Sequence, residues 1–255
     1  MTIPVLNIDL FLLVFMRITG FIILNPIFGR TSVPNLLKVA LSLLIASIIT
    51  PTLGVTVSIN GFLPMVVAAL LELSIGLAIG VVINILFAVV TMAGEFVDMQ
   101  MGLGMAMMYD PGSGINMPVM GGFFNIIMMV VFFAGNAHLA LLSLISDSFK
   151  AIAPGTAYPT AQSSQFIASM GKDMFELGLR MAIPVIAVEI IGIIAIALLM
   201  KAVPQINIFT VGIQIQAIIG IIIVLLAAPV ITALCDRLTA FILEKSAEFI
   251  RLMAH

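Results

Sequence analysis

Residues 62–92 read FLPMVVAALLELSIGLAIGVVINILFAVVTM, an apolar run that contains one charged residue, Glu72. A helix of about 20 mostly apolar residues is long enough to cross the roughly 30 Å hydrocarbon core of a bilayer. In a water-soluble domain a helix of this composition would have no polar face to offer to water. The stretch therefore predicts a helix inside a membrane.

The rest of the chain has the same character. Of its 255 residues, 62% are hydrophobic and 9% are charged, whereas soluble domains have about 45–50% apolar and about 25% charged residues. The mean hydropathy is +1.30. Ten Lys and Arg with twelve Asp and Glu are too few to solvate the surface of a soluble protein of this size. The composition predicts an integral membrane protein.

Composition and motifs also exclude several classes of function. The net charge of −2 provides no basic surface for the phosphates of nucleic acid. The single cysteine, Cys235, excludes a disulfide within the chain. The sequence has no HExxH zinc motif and no Walker or Rossmann glycine pattern. We therefore expect no catalytic residues, no metal site and no cofactor.

Five further apolar runs accompany residues 62–92. They are residues 10–28, 36–53, 119–145, 181–203 and 209–234. Residues 236–255 carry charges along a helical pattern and predict an amphipathic helix that ends at the membrane surface. We expect an all-α polytopic membrane protein of about six long hydrophobic helices plus this C-terminal helix. The chain is expected to form a single domain, residues 1–255, with a Gly- and Met-rich loop at about 94–118 and a polar loop at about 149–169.

Three ionisable residues interrupt the apolar runs: Arg17, Glu72 and Glu189. A charged group at that depth costs about 2.5–3.5 kcal/mol or more, so it usually meets a partner or a water path. The two glutamates could relay protons or ions. Alternatively they are structural, either paired with Arg17 or Arg180 or placed near a membrane interface. The structural role is the interpretation that we favour.

Gly76 and Gly80 form a GxxxG motif within the 62–92 run, and Asn84 follows one helical turn later. Small residues four apart allow two helix backbones to approach closely, and an amide can form a hydrogen bond across such a contact. The motif is common in membrane helices. It therefore indicates a contact with another helix, without identifying that helix.

Methionine and glycine are concentrated between two of the apolar runs. Eight of the eighteen methionines lie there: Met92, Met99, Met101, Met105, Met107, Met108, Met117 and Met120. Methionine is flexible and polarisable, and Asp110-Pro111-Gly112 is typical of a sharp turn. Irregular backbone at membrane depth is tolerated only where it is buried or lines a cavity. The stretch is either a deformable lining of a cavity or a loosely packed core.

Several motifs, in order along the chain, carry a resemblance to a known family. They are Gly94-Glu95, Gln100-Met101-Gly102-Leu103, Asp110-Pro111, Met117-Pro118, Asn136-Ala137-His138-Leu139 and Pro204-Gln205-Ile206-Asn207-Ile208-Phe209. Over nearly its whole length the sequence resembles the FliR family of membrane proteins of the flagellar type III export gate. Gln214 and Gln216 stand where members of that family commonly have a proline and a lysine.

The resemblance implies a non-enzymatic subunit of a channel for unfolded flagellar proteins, in the bacterial inner membrane at the flagellar basal body. It implies FliP-type and FliQ-type partners, a FlhB-type subunit, and a fold like a FliP-like and a FliQ-like helical unit joined in one chain. Loops that include the 102–120 region seal the channel of the family as a plug. The corresponding residues here are Gly102, Gly104, Met105, Met107, Met108, Asp110, Pro111, Met117 and Pro118. Contacts with partners or other helices are expected at Gly76, Gly80, Pro204, Gln205, Asn207 and Phe209.

Three other functions are compatible with parts of the sequence. A virulence type III secretion homologue would share the fold. An ion-coupled secondary transporter would use Glu72 or Glu189 together with helices broken at Gly or Pro, but the chain shows no pair of matching halves. An intramembrane hydrolase would need a second aspartate after Gly104, where Met105 stands.

Overall fold

The structure is a computed structural model that describes residues 7–103, 118–156, 161–202 and 212–253. These ranges contain seven α-helices and no β-strand. The helices are α1 (Ile8–Leu24), α2 (Asn35–Thr52), α3 (Phe62–Gln100), α4 (Val119–Ala134), α5 (Ala137–Ala151), α6 (Ala161–Ala202) and α7 (Ile213–Met253).

Four of the described helices, α2, α3, α6 and α7, are long and apolar enough to cross a membrane. The bent pair α4–α5 adds a fifth span if it counts as one crossing. Helices α3, α6 and α7 have 39, 42 and 41 residues, about twice the length that one crossing needs. The chain is an all-α polytopic membrane protein, and the predicted fold class is confirmed.

The run 119–145, which was expected to be one helix, consists of two. Helix α4 ends at Ala134, α5 begins at Ala137, and the two are bent by 71°. Asn136, at the break, has a φ of 55°, a left-handed conformation that Asn adopts more readily than most residues. A two-residue break of this kind does not divide an apolar run, so hydropathy alone merges the two helices.

The run 209–234 and the amphipathic tail, which were expected to be separate helices, form the single helix α7. Residues 230–253 contain no glycine or proline, so no residue stops the helix where the composition changes from apolar to charged. Pro229 lies inside α7 without ending it.

Both predicted loops were too long at their ends. Helix α6 begins at Ala161, so residues 161–169 of the predicted 149–169 loop are helical. Helix α3 continues to Gln100, so residues 94–100 of the predicted 94–118 loop are helical as well. The Ser, Gln and Gly residues that suggested loops cost a helix no more than about 1 kcal/mol each, which packing against neighbouring helices readily offsets.

The helices form two compact units. The first contains α1, α2, α3 as far as Leu86, α5, α6 as far as Gly171 and α7 from Ala240. The second contains α3 from Phe87, α4, α6 from Lys172 and α7 as far as Thr239. The single domain expected over residues 1–255 stays a prediction.

The first unit is built around the buried face of α1. Asn7 caps this helix, because its Oδ1 accepts a hydrogen bond from the backbone N–H of Leu10 at 3.1 Å, while its Nδ2 donates to the Val57 carbonyl at 2.7 Å. Leu13 of α1 packs against Ala68 and Ala69 of α3. The small alanines allow the two helices to lie close together.

The second unit is held by aromatic contacts between its helices. The rings of Phe87 in α3 and Phe132 in α4 meet edge to face with centroids 5.6 Å apart. Phe96 of α3 and Phe175 of α6 meet in the same way at 6.0 Å. Edge-to-face pairs contribute about 0.5–1.5 kcal/mol beyond the burial of their area, so these contacts fix α3 against both α4 and α6.

Candidate functional site

Arg17 is fully buried in the first unit and binds groups of α3 and of the C-terminal end of α5. Its Nε donates to Glu72 Oε2 at 2.6 Å, and its two terminal nitrogens donate to the carbonyl oxygens of Ser148 and Ile152 at 3.0 and 3.1 Å. The guanidinium also lies over the ring of Phe149, 4.3 Å from its centroid. Because those carbonyls lie at the C-terminal end of α5, the positive charge stabilises that end of the helix.

Glu72 is equally buried, and both of its oxygens have partners. Oε2 binds Arg17, and Oε1 accepts a hydrogen bond from the backbone N–H of Gly155 at 2.8 Å. The other candidate cation, Arg180, instead binds Glu176 Oε1 at 2.6 Å on an exposed part of α6. A buried ion pair is tolerated when its remaining donors and acceptors are satisfied, and this network meets that condition.

The GxxxG motif contacts α1 of the same chain. A Cβ at Gly76 would overlap the carbonyl oxygen of Arg17, and one at Gly80 would lie 3.0 Å from the Cβ of Leu24. Asn84 Nδ2 donates to the Leu24 carbonyl at 3.1 Å. This backbone-to-backbone approach of α1 and α3 holds the buried ion pair between them.

In the second unit, Asp98 of α3 caps the N-terminus of α4. Its two carboxylate oxygens accept hydrogen bonds from the backbone N–H of Met120 at 3.0 and 3.1 Å, and its side chain is buried. The residue before α4 is Pro118, whose side chain makes no cap hydrogen bond. A carboxylate from a different helix therefore supplies the acceptor and the negative charge that a helix N-terminus favours.

The backbones of α3 and α4 touch at Gly94 and Gly121. A Cβ at Gly94 would overlap the backbone of Gly121, so glycine is required there by the close approach. One turn away, Asn125 Nδ2 donates to Thr91 Oγ1 at 3.1 Å. Together with the Asp98 cap, these contacts hold the end of α3 beside the start of α4.

Helix α7 covers the end of α3. Gln216 Nε2 donates a hydrogen bond to the carbonyl oxygen of Gln100, the last residue of α3. The next side chain, Met101, is fully buried and packs against Gly220 of α7. Gly102 then has a φ of 74°, a conformation that glycine adopts without strain, so the chain changes direction directly after α3.

These contacts define one structural feature, which we call the loop base. It consists of Gly94, Asp98, Gln100, Met101, Met120 and Gly121. All six residues belong to the second unit, and they hold the two ends of the 101–118 segment next to each other. The loop base therefore fixes where that segment leaves and re-enters the helical core.

Glu189 of α6 lies against the same feature. Its side chain is fully buried, and Oε1 and the side chain of Met101 fill the space that Gly220 leaves open. Within the described ranges neither of its oxygens has a hydrogen-bond partner. The pairing expected for Glu189 with Arg17 or Arg180 is wrong, because each of these arginines binds another glutamate.

The structure describes some of the predicted site residues. Gly102 and Pro118 lie next to the loop base, Gly76 and Gly80 of α3 pack against α1, and Arg17, Glu72 and Glu189 are buried. The following residues lie outside the described ranges, and their roles stay predictions: Gly104, Met105, Met107, Met108, Asp110, Pro111, Met117, Pro204, Gln205, Asn207 and Phe209.

Two residues of this site were not predicted from the sequence. Asp98 was not singled out from the sequence. Two signals point to it: it lies four residues after Gly94 and so on the same face of α3, and the residue before α4 is a proline, which cannot cap that helix. Gln216 was noted only as a departure from the family pattern. Its hydrogen bond to Gln100 joins residues 116 positions apart, and no local pattern reports such a contact.

The arrangement can hold a loop in place. Its charged group, Asp98, is used in capping, and its other contacts are backbone approaches and apolar packing. In the described part of the chain, no group of three or more His, Cys, Asp or Glu side chains is placed to hold a metal ion. What the site provides is a rigid attachment for the segment between α3 and α4.

Comparison with known proteins agrees with the motifs. The sequence profile of the family described as bacterial export proteins, family 1, matches residues 8–241. The flagellar biosynthetic protein FliR of Escherichia coli strain K12 is 30% identical over 236 residues, which cover 92% of this chain and 90% of that protein. FliR of Bacillus subtilis strain 168 is 29% identical over 246 residues, 95% of each chain.

FliR of Aquifex aeolicus strain VF5 is 30% identical over 223 residues, 87% of this chain and 86% of that protein. These similarities confirm the family resemblance that the motifs carried. The chain therefore belongs to the bacterial export proteins, family 1, and within it to the FliR family of flagellar biosynthetic proteins.

Proposed function

We propose that this chain is a non-enzymatic subunit of the flagellar type III export gate. In this proposal it forms, with FliP-type and FliQ-type proteins and beside a FlhB-type subunit, the inner-membrane channel for unfolded flagellar proteins. The observation that carries the proposal is the similarity to flagellar FliR proteins over about nine-tenths of both chains. Membership of this family makes the chain a membrane-embedded component of flagellar protein export.

The uncovered apolar faces of three helices support assembly with other subunits. In the most apolar 18-residue stretch of each of the helices α2, α6 and α7, 22% of the residues are buried within the chain. In the corresponding stretch of α3, the buried share is 56%. Leu37 of α2, Ile191 of α6 and Leu226 of α7 are 58%, 65% and 78% exposed. Lipid or other membrane helices must cover such faces, and a channel subunit is expected to use both.

The loop base supports the second part of the proposal, in which the 101–118 segment seals the channel. A channel wide enough for an unfolded polypeptide needs a seal that can deform and close again. Methionine side chains suit this task because they are flexible and uncharged. The contacts of Asp98 with Met120 and of Gly94 with Gly121 hold the two ends of this segment beside each other.

Photo-crosslinking from the exposed faces tests the assembly. A photoreactive amino acid at Leu226 is expected to form adducts with FliP-type or FliQ-type subunits in native membranes, because this side chain points away from its own chain. The same amino acid at the fully buried Phe124 is the matched control and should crosslink within the chain. Adducts with lipid alone from Leu226, Ile191 and Leu37 would contradict the proposed assembly.

A further inference from the structure

The two fully buried glutamates have opposite surroundings. Glu72 receives hydrogen bonds from the Arg17 guanidinium and from the backbone N–H of Gly155. Glu189 is buried to the same extent, yet neither of its oxygens has a hydrogen-bond partner in the described ranges. Glu189 is therefore a buried carboxyl group that the packing of the chain does not explain.

An ionised carboxylate in this position would be expensive. Removing a carboxylate from water without a partner costs several kcal/mol or more, and the group then stays neutral instead. A lone carboxyl also makes a poor metal site, and no group of three or more potential metal ligands occurs in the described residues. The proton is the cation that this site can bind.

Within the described ranges, no hydrogen bond or ion pair joins Glu189 to a charged group. Its observed neighbours are Gly220 of α7 and Met101 after α3. On α3, Glu95 is exposed and Asp98 binds the backbone of Met120. The other charges of α6 and α7 in this unit are exposed (Lys172, Lys201, Asp236 and Arg237), paired with each other (Glu176 and Arg180) or sixteen residues away along α6 (Asp173).

The position of Glu189 links its charge to the loop base. Gly220 has no side chain, and the space that it leaves is shared by Glu189 Oε1 and the side chain of Met101. Met101 is fully buried and is followed by Gly102, where the chain turns. A carboxylate that loses its proton must be solvated by water or donors, and Met101 is the side chain observed beside it that could make room.

We propose that Glu189 is a proton-binding site at the loop base, and that loss of its proton displaces the Met101 side chain from the space beside Gly220. The proton site itself does not depend on the proposed gate function.

Infrared spectroscopy of the assembled protein in membranes tests the site. The carbonyl stretch of a protonated carboxylic acid is expected at neutral pH in the wild type. The band should be lost in Glu189→Gln and retained in Glu72→Gln, the matched control whose carboxylate is paired. An unchanged acid band in Glu189→Gln would overturn the proposal, because Glu189 would then carry no proton at neutral pH.

Thiol labelling tests the link to Met101. Met101→Cys is compared with Met99→Cys, since Met99 is 75% exposed and reports the intrinsic effect of pH on labelling. The ratio of labelling at position 101 to that at position 99 should rise severalfold as the medium is made alkaline, and should stay constant when Glu189→Gln is added. A ratio that rises equally in both backgrounds would overturn the link. Neither readout depends on protein export. Failure of the proposed function would appear as absent crosslinks to gate subunits, whereas failure of this inference would appear in the infrared and labelling results.

Discussion

At the residue scale, the buried charges show what a sequence can and cannot assign. Arg17, Glu72 and Glu189 were all predicted as ionisable groups inside apolar helices, because charge in an apolar run is visible locally. Their partners were not, since Arg17 and Glu72 are 55 positions apart and Arg17 also binds carbonyls more than 130 positions away. Only the tertiary structure separates the paired glutamate from the unpaired one.

The buried network leads to a prediction for stability. Arg17→Met should lower the free energy of unfolding by about 3–5 kcal/mol, because it leaves the Glu72 carboxylate buried with one remaining donor. The double variant Arg17→Met/Glu72→Leu should recover part of that loss, since it removes the unpaired charge. Reversible denaturant unfolding in detergent measures both. A double variant no more stable than Arg17→Met would show that the charge of Glu72 is not what makes the single variant unstable.

At the scale of elements, the sequence predicted the Gly- and Met-rich segment but not how its ends are held. Composition revealed irregularity between two apolar runs. It could not reveal that Asp98 caps a helix that begins at Val119, 21 residues later, because a capping signal is normally sought within the first turn of the same helix. Nor could it reveal that Gly94 and Gly121 touch. The break at Asn136 was not predicted, because it lies within a continuous apolar run and the hydrophobic pattern does not change there.

The contact between α3 and α4 gives a prediction with a control in α4, one residue beyond Gly121. Gly94→Ala should destabilise the protein by about 1–3 kcal/mol, because a methyl group there meets the backbone of Gly121, which cannot move aside like a side chain. Gly122→Ala should be neutral or slightly stabilising, since a Cβ at Gly122 has open space and alanine favours a helix. Thermal unfolding in detergent compares them, and equal effects of the two substitutions would argue against a backbone contact at the loop base.

At the scale of the whole molecule, the predicted fold class was right and the division into helices was partly wrong. Hydrophobic runs mark membrane segments reliably because the bilayer imposes their composition. They do not mark where helices end. For this reason the predicted tail helix proved to be part of α7, and the predicted 119–145 helix proved to be two helices. The outward apolar faces of α2, α6 and α7 are a property of the folded chain, and a hydropathy profile cannot separate a face buried within the chain from one that awaits lipid or a partner.

The central claim is that this chain is a component of flagellar protein export, and secretion measures it most directly. In the host of this protein, deletion of its gene should abolish the appearance of flagellar proteins in the culture medium while leaving their synthesis unchanged, and the wild-type chain supplied in trans should restore secretion. Secreted and cellular flagellar protein are quantified together, which separates export from expression. Undiminished secretion in the deletion strain would contradict the account.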